Sequence, residues 1–167
     1  MIYTAINELN HFEYHDAELN NISWLAENLL WELSAINATT ENTQNSSCKD
    51  MCVGNAEITF EYAHIESIVF TAYQVYDSNN ILINSVEART TIPEEYDEIL
   101  KESLRSFCYI MSMDEYKGSE EERYIARFNI YAGIGGYDLT ISFSKSTVAW
   151  NEFSGEAWYE HPKWKNQ

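Results

Sequence analysis

Apolar and polar residues alternate along most of the chain, and period-two alternation is the signature of strands with one buried face. Between residues 17 and 36, Ile22 and Trp24 share one face. Leu29, Trp31, Leu33 and Ala35 share another, beyond a polar step at Glu27-Asn28. This pattern predicts a β-hairpin. A helix over residues 22–33 competes, because Trp24, Leu25, Asn28 and Trp31 also recur at helical spacing. Further on, Ala56, Ile58, Phe60 and Tyr62 mark one face of a strand. Ile68, Phe70 and Ala72 open another, flanked by Val69, Tyr73 and Val75. A strand apolar on both sides is expected at the centre of a sheet. Asp77-Ser-Asn-Asn80 is a turn signal, with Ile81, Ile83 and Val86 as the returning strand.

The period changes once. Tyr96, Ile99, Leu100, Leu104 and Phe107 recur every three or four residues and predict an amphipathic helix over about residues 92–107. Thr91-Ile-Pro-Glu94 fits a capping box, with Pro93 tolerated in the first turn. Glu94, Glu95, Asp97 and Glu98 sit where the helix dipole favours negative charge, and Arg105 lies near the other end. Residues 109–113 then read as a short strand, and 114–122 as an acidic loop. Tyr124, Ala126, Phe128 and Ile130, followed by Tyr137, Leu139, Ile141 and Phe143, make the strongest hairpin, turned at Ala132-Gly-Ile-Gly-Gly136. Lys145-Ser-Thr147 reads as a turn. Val148 and Trp150 begin a last strand, and Phe153, Trp158 and Trp164 form an aromatic tail. The chain is read as one α+β domain over residues 1–167, a mostly antiparallel sheet with one main helix. Residues 37–55, rich in Asn, Ser and Thr, form a polar loop whose length suggests mobility or function.

Charge narrows the function classes. Ten basic and 27 acidic residues give a net charge of −17. Phosphate binding needs clustered Lys and Arg, so nucleic acid is excluded as a direct ligand, and an anionic membrane surface is disfavoured. A basic protein or a cation fits better. The first residues, MIYTAINELNHF, carry no basic and apolar leader pattern, and no apolar run reaches the roughly 18 residues that span a bilayer. Cys48, Cys52 and Cys108 leave one thiol unpaired under any scheme. Reduced cysteines in a cytoplasm are the simplest reading, and the sequons at Asn21, Asn37 and Asn45 would matter only in a secretory pathway.

Several segments are candidates for chemistry. His11 and His15 are four apart, and His11, Glu13 and His15 would share a side of a strand, so a metal-dependent enzyme built on them is one alternative. The HxxxH spacing lacks the Glu of the HExxH motif, and the bland reading is a polar entry into the first strand. Cys48-Lys-Asp-Met-Cys52 supplies half a zinc site at most, so no metal is assigned. Gly133-Ile-Gly-Gly136 does not precede a helix and reads as a turn rather than a phosphate cradle. No GxSxG and no Cys–His pairing is present. The chain is therefore read as a non-enzyme without a cofactor.

The opening F-x-x-HDAEL-x-x-I, from Phe12 to Ile22, resembles small uncharacterised bacterial proteins, some of which are grouped with immunity proteins of polymorphic toxin systems. The resemblance covers about the first quarter of the chain, and the polar 37–55 stretch departs from a minimal version of the pattern. It implies a small, acidic, cytoplasmic protein that blocks a toxin by occupying its surface, and it carries over no site residues. With the charge, it leads to an expected function: an immunity-like inhibitor whose acidic surface docks on a basic protein partner. Asp114, Glu115, Glu120, Glu121 and Glu122 are the candidate contacts. Trp158 and Tyr159 are the candidate anchors, with Trp150 and Trp164 beside them. The alternative is a small-ligand or carbohydrate-binding β-rich domain that stacks its ligand on Trp and Tyr.

Overall fold

The structure is a computed structural model that describes residues 1–118 and 123–161. Its strands, in chain order, are β1 (Tyr3–Ile6), β2 (Phe12–Glu13), β3 (Ala17–Leu25), β4 (Asn28–Ser34), β5 (Asn37–Ala38), β6 (Met51–Cys52), β7 (Asn55–Glu61), β8 (His64–Phe70), β9 (Tyr73–Tyr76), β10 (Leu82–Val86), β11 (Arg89–Thr90), β12 (Cys108–Lys117), β13 (Tyr124–Ala132), β14 (Gly135–Phe143), β15 (Lys145–Trp150) and β16 (Gly155–Glu156). One α-helix, α1 (Tyr96–Ser103), precedes β12. The fold is α+β and its ladders are antiparallel.

Ten strands form one sheet in the order β1-β15-β7-β4-β3-β12-β13-β14-β8-β11. The sheet is folded on itself. β3 and β12 pair only at Glu18↔Tyr109 and Ala17↔Ile110, and on either side of that seam five strands face five. The aromatic core spans the gap. Trp31 on β4 lies 4.6 Å from Phe128 on β13 between ring centroids, and Phe60 on β7 lies 5.1 Å from Phe143 on β14. Apolar positions of both halves turn inward: Leu29, Trp31, Leu33, Ile58 and Phe60 from one, Phe128, Ile130, Leu139, Ile141 and Phe143 from the other. The burial of these rings removes large apolar area from water and is the main source of stability.

Two connections cross between the halves at one end. The hairpin β7–β8 turns at Tyr62-Ala63, and β14 passes to β15 through Ser144 alone. The expected turn at Lys145-Ser-Thr147 is thus a strand: Lys145 pairs with Glu61 in the β15–β7 ladder and forms an ion pair with it. Tyr62 departs from its expected face because it occupies the turn with φ 50. Ala35 does so because it leaves β4 with φ 64.

The hairpins at 17–36 and 124–143 form as the alternation predicts. A bulge after Leu19 resets the register of β3. Ile22 and Trp24 stay opposite Trp31 and Leu29 but sit at the rim, partly exposed. β8 is not central: its outer neighbour is β11, a two-residue edge strand. The helix is shorter than expected. A 3-10 turn at Pro93–Glu95 leads into Tyr96–Ser103, which buries Tyr96, Ile99, Leu100 and Ser103. Thr91 does not cap it, because its hydroxyl donates to Ile68 O on β8 at 2.8 Å. Instead the Ile92 N–H donates to the Glu95 carboxylate at 3.4 Å. The Ser103 hydroxyl bonds Ile99 O and Tyr137 Oη, each at 2.8 Å. Phe107, expected as the helix's last apolar position, stacks on Tyr109 at 5.9 Å beside the start of β12.

Residues 37–55 carry two short strands. β5 and β6 join β2 and β16 in a four-stranded sheet of order β16-β6-β5-β2. Asn45 is buried, and its Nδ2 is directed at the carbonyls of Ala38, Thr39 and Lys49 at 2.9–3.0 Å. Glu8 ties the segment to the N-terminal turn: its carboxylate accepts from Thr43 N at 3.0 Å and Thr43 Oγ1 at 2.7 Å. A polar stretch is held in place by its own side-chain amides and a carboxylate, which local propensity does not reveal. Among the described residues, no helix is long and apolar enough to cross a membrane.

Candidate functional site

The HFEYHD segment follows strand alternation from Phe12. Phe12 and Tyr14 are buried, while Glu13 and His15 point outward. His11 does not share their side. It ends a 3-10 turn at Leu9–His11, and its Nδ1 contacts Glu8 Oε2 at 3.4 Å. The His15 Nδ1 contacts Met111 O at 3.1 Å. Among the described residues, no group of three or more His, Cys, Asp or Glu side chains is placed to hold a metal ion.

Glu13 and His15 instead border an open cavity of about 300 Å3, whose other walls are Asp50, Trp158 and Tyr159. Three separate stretches of sequence meet there. β2 and the residues after it bring Glu13 and His15. The end of the 37–55 segment brings Asp50. A 3-10 turn at Trp158–Glu160 brings the two aromatics. Tyr159 Oη donates to Asp50 Oδ2 at 2.9 Å. Asp50 Oδ1 accepts from Thr40 N at 2.9 Å, and the backbone N–H of Ala157 donates to Asp50 O at 2.9 Å. Asp50 is thus the post on which the C-terminal turn is mounted. Trp158 is held edge-on to Tyr159, with 5.5 Å between centroids and an interplanar angle of 81°, and remains 55% exposed.

The site is acidic. Burial pushes the Tyr159 hydroxyl well above the ordinary tyrosine range, and the hydrogen bond to Asp50 and the negative charges of Asp50, Glu13 and Glu160 push it further. Asp16 lies beside His15, with Oδ2 3.7 Å from Nε2. Carboxylates next to an exposed indole form an arrangement that binds cations, through charge-assisted hydrogen bonds and the face of the ring.

Of the acidic contacts expected at 114–122, Asp114 and Glu115 do not line this cavity. Asp114 and Glu115 lie in β12, which extends to Lys117, and not in a loop. They point to opposite faces. Asp114 is exposed and pairs in register with Arg127, whose guanidinium also forms an ion pair with Asp138 on β14. Glu115 pairs with the fully buried Ala126, so it faces inward. Its Oε1 is buried with no hydrogen-bond partner among the described residues, and burial raises its pKa. The adjacent Tyr14 hydroxyl is likewise buried and unpartnered, and is pushed far up by burial and then by the charges of Glu115 and Glu13. Glu120, Glu121, Glu122 and Trp164 lie outside the described residues. Trp150 is a core residue, 0% exposed and stacked on Tyr3 at 5.4 Å.

Asp50 is the member that the sequence pattern missed. It stood only as a spacer in Cys48-Lys-Asp-Met-Cys52, and nothing local marks it, since its partner Tyr159 is 109 residues away. Cys48, Cys52 and Cys108 are all free thiols. Gly135, with φ +115, serves a hairpin turn between β13 and β14. No protein-family model, no curated protein and no solved structure matches this chain.

Proposed function

We propose that this protein is a non-enzymatic binding protein that docks an acidic face on a basic protein partner, as an immunity-like inhibitor does. One observation carries the reading: Glu13, Asp50 and Trp158 line a single open cavity in a chain of net charge −17. A Lys or Arg side chain is the guest that fits. Its charge would meet the carboxylates, and its flat or aliphatic part would lie on the indole. Desolvated aromatic anchors inside a charged rim are the usual source of affinity, while the wider field steers association. The acidic run at Glu120, Glu121 and Glu122 would add to that field.

Most of the aromatic residues do not support stacking of a carbohydrate. Trp31 and Trp150 are fully buried in the core, and among the described residues this cavity has two aromatic walls, Trp158 and Tyr159, whose rings meet edge-on rather than side by side.

The test is capture by the immobilised chain from the native lysate, run beside Trp158→Ala and Asp50→Asn. A basic protein that elutes with rising salt and is lost with both variants is the expected result. Equal capture by the variants would remove this cavity from the contact. A second comparison, charge reversal of Glu120, Glu121 and Glu122 to Lys, should lower affinity and flatten its salt dependence.

A further inference from the structure

Two walls of the acidic cavity are aromatic and stand at right angles. Trp158 and Tyr159 meet edge-on, with 5.5 Å between ring centroids and 81° between their planes, and both line the cavity with Glu13, His15 and Asp50. The rings form a corner, and the exposure of Trp158 leaves its indole open to a guest. The electron-rich face of such a ring attracts a cation. Two ring faces beside two carboxylates therefore select for positive charge, and the hydrogen bonds of those carboxylates select among cations.

Asp50 Oδ1 accepts from Thr40 N and Oδ2 from Tyr159 Oη, each at 2.9 Å. Glu13 Oε1 accepts from His15 N at 3.1 Å. Three of the four carboxylate oxygens thus already hold a donor from the chain itself. A guanidinium brings five N–H donors in a rigid fork suited to a carboxylate with both oxygens open. A primary ammonium brings three donors and is strongly hydrated. Either cation gives up water at a cost that new hydrogen bonds must offset. Methylation of an ammonium keeps the positive charge and replaces N–H donors by methyl groups, which rest on ring faces. The carboxylates then act through their charge, which their existing hydrogen bonds leave in place.

Resting on the reading of this cavity as the contact for a basic partner, we infer that it selects a methylated lysine side chain of that partner over an unmodified lysine or an arginine. The methylated ε-ammonium group sits in the corner between Trp158 and Tyr159, facing Glu13 and Asp50. The cavity is open to solvent, so the aliphatic stem leads out towards the rest of the partner. A basic protein is also the carrier that a chain of net charge −17 draws in. A small molecule with the same head group, such as choline, has no further surface to place against this chain.

The test is a titration of the full chain followed in 1H–15N spectra, at the Trp158 indole N–H and the backbone amides of residues 157–160. The probes are Nα-acetyl-lysine amide in its unmethylated, ε-dimethylated and ε-trimethylated forms, Nα-acetyl-arginine amide, choline, and a neutral analogue with a tert-butyl group in place of the trimethylammonium group. A methylated lysine should bind about three- to tenfold more tightly than the unmethylated, arginine and neutral probes. In Trp158→Leu, which keeps apolar bulk and removes the ring, that preference should vanish while amides elsewhere keep their positions. Equal binding of methylated and unmethylated lysine overturns the inference, as does a neutral analogue that matches the trimethylated probe. Tighter binding of choline than of trimethyllysine overturns the assignment to a lysine. So does the absence of any shift at about 10 mM methylated lysine, where a site with a Kd of about 1 mM would be nearly filled. Capture of a basic protein that is lost in Trp158→Ala, together with equal binding of all the lysine probes, would sink this inference and leave the proposed function standing. Loss of both capture and probe binding would sink both.

Discussion

Tyr159 Oη donates to Asp50 Oδ2 at 2.9 Å across 109 residues of sequence, and this bond places Trp158 beside Glu13 and His15. The segment leading into the turn at Trp158–Glu160 is also held by the backbone bond from Ala157 to Asp50, by the β16–β6 ladder and by the Lys49–Glu156 ion pair, 2.6 Å long and solvent-exposed. Exposed pairs of that kind contribute little.

Tyr159→Phe should therefore lower stability by about 1.5 kcal/mol, the lower end of the net value of a hydrogen bond to a charged group. It should weaken partner binding by more than that loss of stability explains, because Trp158 loses its orientation. Denaturant melts and binding isotherms on the same variant would separate the two effects.

Trp158→Ala and Phe128→Ala should behave in opposite ways. Phe128 is fully buried against Trp31, Phe60 and Tyr14, so its truncation should cost about 3–5 kcal/mol. Trp158 stands largely in solvent, so its truncation should change stability by about 0.5 kcal/mol or less while abolishing capture. A large fall in melting temperature for Trp158→Ala would mean that the indole is part of the core.

Glu8 gives an acid-side dependence. Burial raises its pKa, but the hydrogen bonds from Thr43 N and Oγ1 and the contact with His11 outweigh that and hold it below the ordinary range. A depressed folded-state pKa stabilises the fold above the unfolded value and loses that stabilisation as pH falls through the folded value. Wild type should thus lose stability towards acid more steeply than Glu8→Gln, with the two curves parallel at neutral pH. Identical acid limbs would count against the role given to Glu8 in anchoring the 37–55 segment.

Glu115 has the opposite sign. Burial raises its pKa, although the Asn10 backbone N–H and His11 pull it down. The protonated form is favoured in the fold, so stability falls as pH rises from the ordinary carboxylate range through the raised folded value. Glu115→Gln keeps the acceptor for Asn10 and removes the buried charge. Its melting temperature should exceed that of wild type at neutral pH, and the gap should shrink as pH is lowered.

Thiol reactivity should separate the cysteines. Burial pushes the Cys108 thiol up to about 12, and the thiolate is the reactive form. In the native protein the exposed Cys48 should react quickly with a thiol reagent, and Cys108 only after unfolding. Rapid reaction of Cys108 would show that the α1–β12 region opens.

The sequence by itself determined the strands and most of their inward faces. Alternation is a local property: each apolar residue at Trp31, Phe60, Phe128 or Leu139 needs a neighbour two positions away to share one buried side. It also located the helix, though not its end, because Ser103 is committed to Tyr137 on a distant strand and the chain must straighten into β12. The turn at Gly135 was legible from glycine's freedom at positive φ. Tertiary structure decided the rest. Lys145-Ser-Thr147 is strand and not a turn, with Ser144 as the corner, because the two halves of the sheet must face each other for Phe60 to meet Phe143. Asp114 and Glu115 belong to opposite faces because β12 runs on to Lys117 beside β13. The 37–55 segment is ordered because Asn45 ties it to itself and Glu8 and Asp50 bind it to elements far away in sequence. The acidic cavity exists only where three stretches of chain converge. Side-chain period reports which way a residue points within its own strand, whereas a site depends on which strands the closing of the sheet brings together.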